Sequence, residues 1–168
     1  MIQKMKRLLL TRHAKSSWDH PELRDVDRPL NNRGLKDAPK IGKALKRLNL
    51  LPDAILISPS KRTRMTAQLL AQELNFIPEE IEVIDSFYGA TPEEVVHQAR
   101  QIPDEIDTAM LIGHNPTWTM LCQHLTREFL HNLPTCGVIE IEFETNHWIS
   151  FDDRLGKLVK KIKPKEVS

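Results

Sequence analysis

Three short, wholly apolar runs constrain this chain more than any other feature: Leu8-Leu9-Leu10, Ala54-Ile55-Leu56-Ile57 and Ala109-Met110-Leu111-Ile112. Each is too short for a helix and lacks polar alternation, the pattern of a strand buried on both faces. Each then breaks abruptly into polar residues: Thr11-Arg12-His13-Ala14-Lys15, Ser58-Pro59-Ser60-Lys61-Arg62 and Gly113-His114-Asn115-Pro116. Helical patterns fill the intervals. Leu35, Ala38, Ile41, Leu45 and Leu48 recur at steps of three and four with lysines between them, an amphipathic helix in which Pro39 fits near the start or as a kink. A second helix runs through Met65, Leu69, Leu70 and Leu74, behind the hydroxyls of Ser58 and Ser60, which suit a helix start. Two more are expected from Glu93 to Arg100, after Thr91-Pro92, and from Thr117 to about Thr126. Strands alternating with helices in this way call for a mostly parallel sheet covered on both faces, a three-layer αβα sandwich of the α/β class. Ile81 to Ile84 reads as a further short strand. Val138 to Phe143 alternates and suits a strand with one wet face, for which Trp148-Ile149-Ser150-Phe151 offers a hairpin partner.

At 168 residues the chain is read as one domain, 1–168, with a core of about 7–151 and a basic tail, 152–168, expected to be a solvated terminal segment. A net charge of +1 leaves no general field for nucleic acid or a membrane surface, so any positive potential must be local. The apolar run behind the basic start, 1–7, is too short for a signal peptide, and no stretch approaches the roughly 18 apolar residues of a membrane span. Cys122 and Cys136 are isolated thiols without metal-ligand spacing, read as reduced core residues in a cytoplasmic protein that needs neither metal nor cofactor.

In an open α/β sheet, ligands sit just beyond the carboxyl ends of the strands. If the three loaded turns are neighbours there, two imidazoles and two guanidiniums converge on one place. Guanidinium forks match phosphate oxygens, and a neutral imidazole can attack phosphorus and carry the phosphoryl group. Neighbouring arginines would keep His13 in that neutral form, and His114 could donate to the equatorial oxygens as charge shifts. The polar segment Ser16–Leu30, rich in Asp, Arg and Pro, is longer than an ordinary connection and is read as a lid beside the site.

Thr11-Arg12-His13, then Ser58-Pro59 with Arg62, Thr66 and Ala67, then Gly113-His114, resembles the histidine phosphatase (phosphoglycerate mutase-like) superfamily. Ala14-Lys15-Ser16-Ser17-Trp18 together with Asp27-Arg28-Pro29-Leu30-Asn31 and Arg33-Gly34 is similar to its SixA-type branch; the match spans roughly 7–125. The resemblance implies a phosphoglycerate mutase-like fold and a metal-independent phosphatase. It implies that His13 is the phosphorylated nucleophile, that Arg12 and Arg62 bind the phosphoryl group, and that His114 completes the pocket. Lys15 and Arg28 are further candidate phosphate ligands. Ala14 stands where the family usually has Gly. Many members carry an acidic proton donor near the end of the third strand, and Asp85 is the nearest counterpart. The implied substrate is phosphohistidine on a signalling protein. The alternatives are a phosphatase or mutase acting on small phosphate esters, and a phospho-binding module without turnover.

Overall fold

The structure is a computed structural model describing residues 4–168. The basic start expected over 1–7 therefore lies partly outside the described residues. The rest of it is strand: β1 covers Met5–Arg12, longer than its apolar centre suggests. Lys6 is buried in β1, and its ammonium donates to the Asp104 and Ile106 carbonyls and to Asp107, which satisfies the charge. Arg7 pairs across the sheet with Glu142 at 3.0 Å.

Six strands form one sheet. β1 is followed by β2 (Ala54–Ile57), β3 (Glu82–Val83), β4 (Thr108–Gly113), β5 (Val138–Glu144) and β6 (Lys157–Ile162), in the spatial order β3-β2-β4-β1-β5-β6. β1 to β4 are parallel, and β5 runs antiparallel to both β1 and β6. The side chains of the buried strands divide between two cores. Leu8, Leu10, Leu56, Ala109 and Leu111 lie in one, and Leu9, Ile55, Ile57, Met110 and Ile112 in the other. This alternation explains the wholly apolar runs, because both faces of the sheet are covered.

Helices α1 (Asn32–Arg47) and α2 (Lys61–Leu74) cover the second core, and α3 (Pro92–Ala99) and α4 (Thr117–Thr126) cover the first. Local chemistry sets their ends. Asn31 accepts from the Gly34 amide to start α1, Thr91 and Glu94 form a capping box for α3, and left-handed Asn75 closes α2. Pro39 lies well inside α1, beyond the first turn, where its missing N–H removes one intrahelical bond. No helix among the described residues is long and apolar enough to cross a membrane.

The expected hairpin does not form. Trp148–Ser150 is a single 3-10 turn, and β5 pairs instead with β6, inside the segment expected to be a solvated tail. Trp148 and Phe151 are buried three residues apart while Ile149 and Ser150 face water, the spacing of a helical turn rather than a strand. Phe151 meets Phe143 edge-on at 4.9 Å and the Trp148 indole donates to the Ile106 carbonyl, so these aromatics seal the core from below β5. β6 escaped notice because it is an edge strand whose lysines face solvent, a composition that guards an open edge and also hides the strand.

Candidate active site

Strand order places β2, β4 and β1 side by side, so their carboxyl ends meet. Arg12 lies opposite Gly113, and Ile57 opposite Ile112. One residue further on, the backbone N–H of His13 donates to the Gly113 carbonyl and that of Ser58 to the Ile112 carbonyl. The three turns therefore leave the sheet at one level. His13 and His114 bring their rings to 5.3 Å between centroids.

The turn carrying His13 is fastened on three sides. The Ala14 amide donates to Thr66 Oγ1, whose hydroxyl donates in turn to the Arg62 carbonyl one turn earlier in α2. The amide of Cys136, in the left-handed region at φ 58°, reaches both the Arg12 and His13 carbonyls. Gly34 packs directly on Lys15, where a Cβ would come within 2.2 Å of the Lys15 carbonyl oxygen. α1 thus starts against the turn that carries His13.

His13 is 7% exposed, and its Nδ1 lies 2.7 Å from the Ala14 carbonyl oxygen. A carbonyl only accepts, so Nδ1 carries the proton and Nε2 keeps its lone pair. Burial pushes the imidazole pKa down to about 3, with His114, Arg62 and Arg12 acting in the same direction and the Ala14 carbonyl against it. His114 is lowered to about 4, chiefly by burial and then by Arg62. Both rings are therefore neutral near pH 7. Arg12 sends NH1 to the Leu133 carbonyl, and its Nε is buried without a protein acceptor among the described residues.

Arg62, the first-turn arginine of α2, has a partner that the sequence reading missed. Asp25, from the Ser16–Leu30 segment, accepts NH1 on its carbonyl oxygen at 2.7 Å and NH2 on its carboxylate at 3.0 Å. The same carboxylate accepts from Tyr88 at 2.6 Å and from Arg28 at 3.0 Å. The Tyr88 hydrogen bond, then Arg28 and Arg62, hold Asp25 far below the usual carboxylate range. It is an anion near neutral pH and the counter-ion of Arg28 and Arg62. Tyr88 also stands edge-on to His114 at 5.6 Å. Nothing in spacing separates Asp25 from Asp19 or Asp27; only the fold of the segment brings it to Arg62.

The remaining candidates lie further out. Arg28 is buried within the segment, its guanidinium donating to the Ser17 carbonyl, Ser16 Oγ and Asp25 and stacked 3.4 Å from the Trp18 ring centre. It fastens the segment to itself. Lys15 is half-buried and its ammonium has no protein partner among the described residues. Asp85 is exposed, and its carboxylate makes no hydrogen bond or ion pair among them; the segment after β3 reaches the site through Tyr88 instead. Of the two serines read as helix caps, only Ser60 caps α2, whereas Ser58 Oγ bonds His114 Nε2 at 2.8 Å.

An arrangement of two neutral imidazoles and two arginines at the carboxyl edge of a parallel sheet defines a phosphate-handling class, and the comparisons place the chain within it. Residues 8–87 match the family model of the histidine phosphatase superfamily, branch 1. An uncharacterised chloroplastic protein of Arabidopsis thaliana is 38% identical over 152 residues, covering 85% of this chain and 69% of that protein. The solved structure of a SixA-type protein from Agrobacterium tumefaciens superposes with a TM-score of 0.81 at 31% identity, covering 95% of this chain and 98% of its own. A protein histidine phosphatase SixA complexed with tungstate shares the fold, with a TM-score of 0.80 at 20% identity, covering 95% of this chain and 97% of its own. The chain belongs to the histidine phosphatase superfamily and, within it, to the SixA-type branch; it is a phosphatase.

Proposed function

We propose that the protein hydrolyses phosphohistidine on a signalling protein through a covalent phosphohistidine of its own, formed on His13. The observation that carries this reading is the His13 ring. Its Nδ1 proton is tied to the Ala14 carbonyl, so an unprotonated Nε2 is presented beside Arg12, Arg62 and His114. In the first step the substrate ring, protonated from solvent at its other nitrogen, departs as neutral imidazole while the Nε2 lone pair of His13 forms a bond to phosphorus. The arginines balance the negative charge of the equatorial oxygens, the work a metal ion does in other phosphatases. In the second step water attacks the phosphohistidine, a proton leaves the water, and inorganic phosphate departs as Nε2 regains its lone pair. Lys15, with its unpartnered ammonium, is a candidate ligand of the anionic substrate in this reading, and Asp85 is the candidate acid for ester substrates. Support for the substrate class comes from the A. tumefaciens relative, a putative phosphohistidine phosphatase SixA. The two unpaired, buried thiols fit a reducing, cytoplasmic setting.

The test is a side-by-side assay on a phosphohistidine protein, phosphoramidate and sugar phosphates, with acid-quench trapping of the phosphoenzyme. The expected result is faster turnover of phosphorus–nitrogen bonds and a labelled phosphoenzyme that His13→Ala abolishes. A labelled phosphoenzyme persisting in His13→Ala would overturn the assignment.

A further inference from the structure

His114 reaches the rest of the protein through two ring atoms. Nδ1 faces Arg62 NH2 at 3.4 Å, and Nε2 bonds Ser58 Oγ at 2.8 Å. A guanidinium only donates, so in this state Nδ1 accepts and Nε2 carries the proton, donating it to Ser58. That is the wrong tautomer for helping a phosphoryl group bound beside Arg62, because it turns a lone pair toward the incoming oxygens. A second proton on the ring is not a ready remedy: burial, then Arg62 and Arg12, disfavour the imidazolium and outweigh the opposing pull of Asp25. A neutral ring that donates from Nδ1 must accept at Nε2. The group at Nε2 is a serine hydroxyl, which can serve as either donor or acceptor. Ser58 is 0% exposed, and its hydroxyl has no partner but His114 among the described residues, so no solvent competes for it. Its position is fixed on both sides, by its own amide on the Ile112 carbonyl and by its carbonyl under Thr63 Oγ1.

We propose that Ser58 is a positioning residue that lets His114 change tautomer, accepting from Nε2 in the free enzyme and donating to Nε2 when a phosphoryl group takes the N–H of Nδ1. One proton leaves Nε2 and one is gained at Nδ1, so the ring stays neutral and the proton count of the site is unchanged. The inference rests on the reading that the phosphoryl group binds between Arg62 and His114. It goes beyond that reading in making a buried hydroxyl outside the phosphate contacts the group that permits His114 to change from acceptor to donor there.

The decisive measurement is nitrogen-15 NMR of the histidine-labelled wild-type protein, with the His114 signals assigned by their loss in His114→Gln. On saturation with inorganic phosphate or tungstate, the protonated nitrogen of His114 should change from Nε2 to Nδ1. Retention of the Nε2–H form, protonation of both nitrogens, or no response to either anion would each overturn the proposal. In parallel, Ser58→Ala should lower kcat by about 10- to 100-fold, the usual effect of removing a partner that orients a ring, with a smaller change in KM. Ser58→Thr, which keeps the hydroxyl, should recover much of it. Wild-type kcat in Ser58→Ala would also overturn the proposal. Failure of the phosphatase reading itself would show separately, as a wild-type enzyme that turns over none of the phosphorylated substrates.

Discussion

Replacing His13 with Asn should flatten the acid limb of the protein's stability curve by one proton. In the folded chain burial lowers the His13 pKa to about 3, whereas in the unfolded chain it returns to its ordinary value near 6.5. Between those limits the unfolded state binds a proton that the folded state refuses. Stability therefore rises with pH across this window and is lost as pH falls from about 6.5 toward 3. The full shift of about 3.5 units sets an upper bound of about 5 kcal/mol at 1.36 kcal/mol per unit. The slope is the sturdier quantity: one proton corresponds to about 1.4 kcal/mol per pH unit, and averaged over pH 4.5–6 the His13 share is about 1.2. Urea unfolding of wild type and His13→Asn at half-unit pH intervals, in buffers without phosphate, measures it. Any packing cost of Asn is an offset independent of pH, whereas the wild-type curve should fall faster on acidification by about that slope. Parallel curves would mean that His13 titrates normally in the folded protein, and the neutral nucleophile would lose its physical basis.

The other expectations use the same geometry. Arg62→Lys should lose activity by more than about 100-fold, almost as much as Arg62→Ala, because a point charge cannot bond the Asp25 carbonyl and carboxylate together while facing His114; near-wild-type kcat/KM in the Lys variant would place Arg62 outside the chemistry. Gly34→Ala should cost about 1–3 kcal/mol and reduce kcat by at least about 10-fold, because the new methyl cannot coexist with a Lys15 carbonyl 2.2 Å away and the turn behind His13 must move; thermal melting and turnover together report it. Activity should be indifferent to EDTA, and loss restored by a divalent ion would contradict catalysis by arginine charge alone. Asp85→Asn should reduce hydrolysis of phosphate esters and leave phosphohistidine hydrolysis nearly intact; an unchanged ratio of kcat/KM on the two substrate types would make Asp85 a turn residue.

Where the sequence was legible, one force decided the local outcome. The apolar runs of β1, β2 and β4 are buried on both faces, so hydrophobicity alone marked them, and the turns that follow announced His13, Arg62 and His114 by position. Legibility failed where charge and burial coincide. Lys6 sits in the core because backbone carbonyls and Asp107 receive its three donors, a long-range arrangement no local window can reveal. β6 carries the lysines of an edge strand and so looked like a tail, while the aromatics of 148–151, which looked like a strand, pack as a turn. The same limit hid Asp25. Its partners Arg62 and Tyr88 are 37 and 63 residues away, and only the course of the Ser16–Leu30 segment brings them together.

Asp25 also bears on which phosphoryl bond this site breaks. A carboxylate beside Arg62 would be well placed to protonate a leaving group, yet Tyr88, Arg28 and Arg62 favour its ionised form, and Asp85 stands exposed with no partner in the site. Leaving groups differ widely in their need for that proton. An alkoxide is as demanding as hydroxide, whose conjugate acid water has a pKa of about 15.7. A phosphohistidine ring that takes a solvent proton on its other nitrogen departs as neutral imidazole, whose conjugate acid lies near 6.5, so it needs no acid from the enzyme. General acid assistance is worth about 10²–10⁴-fold to the first and little to the second. A pocket with strong charge stabilisation and a weakly placed acid therefore discriminates by leaving group. On the proposed function, phosphohistidine should gain over a phosphate ester by roughly that factor, before any contact with the rest of the substrate is made.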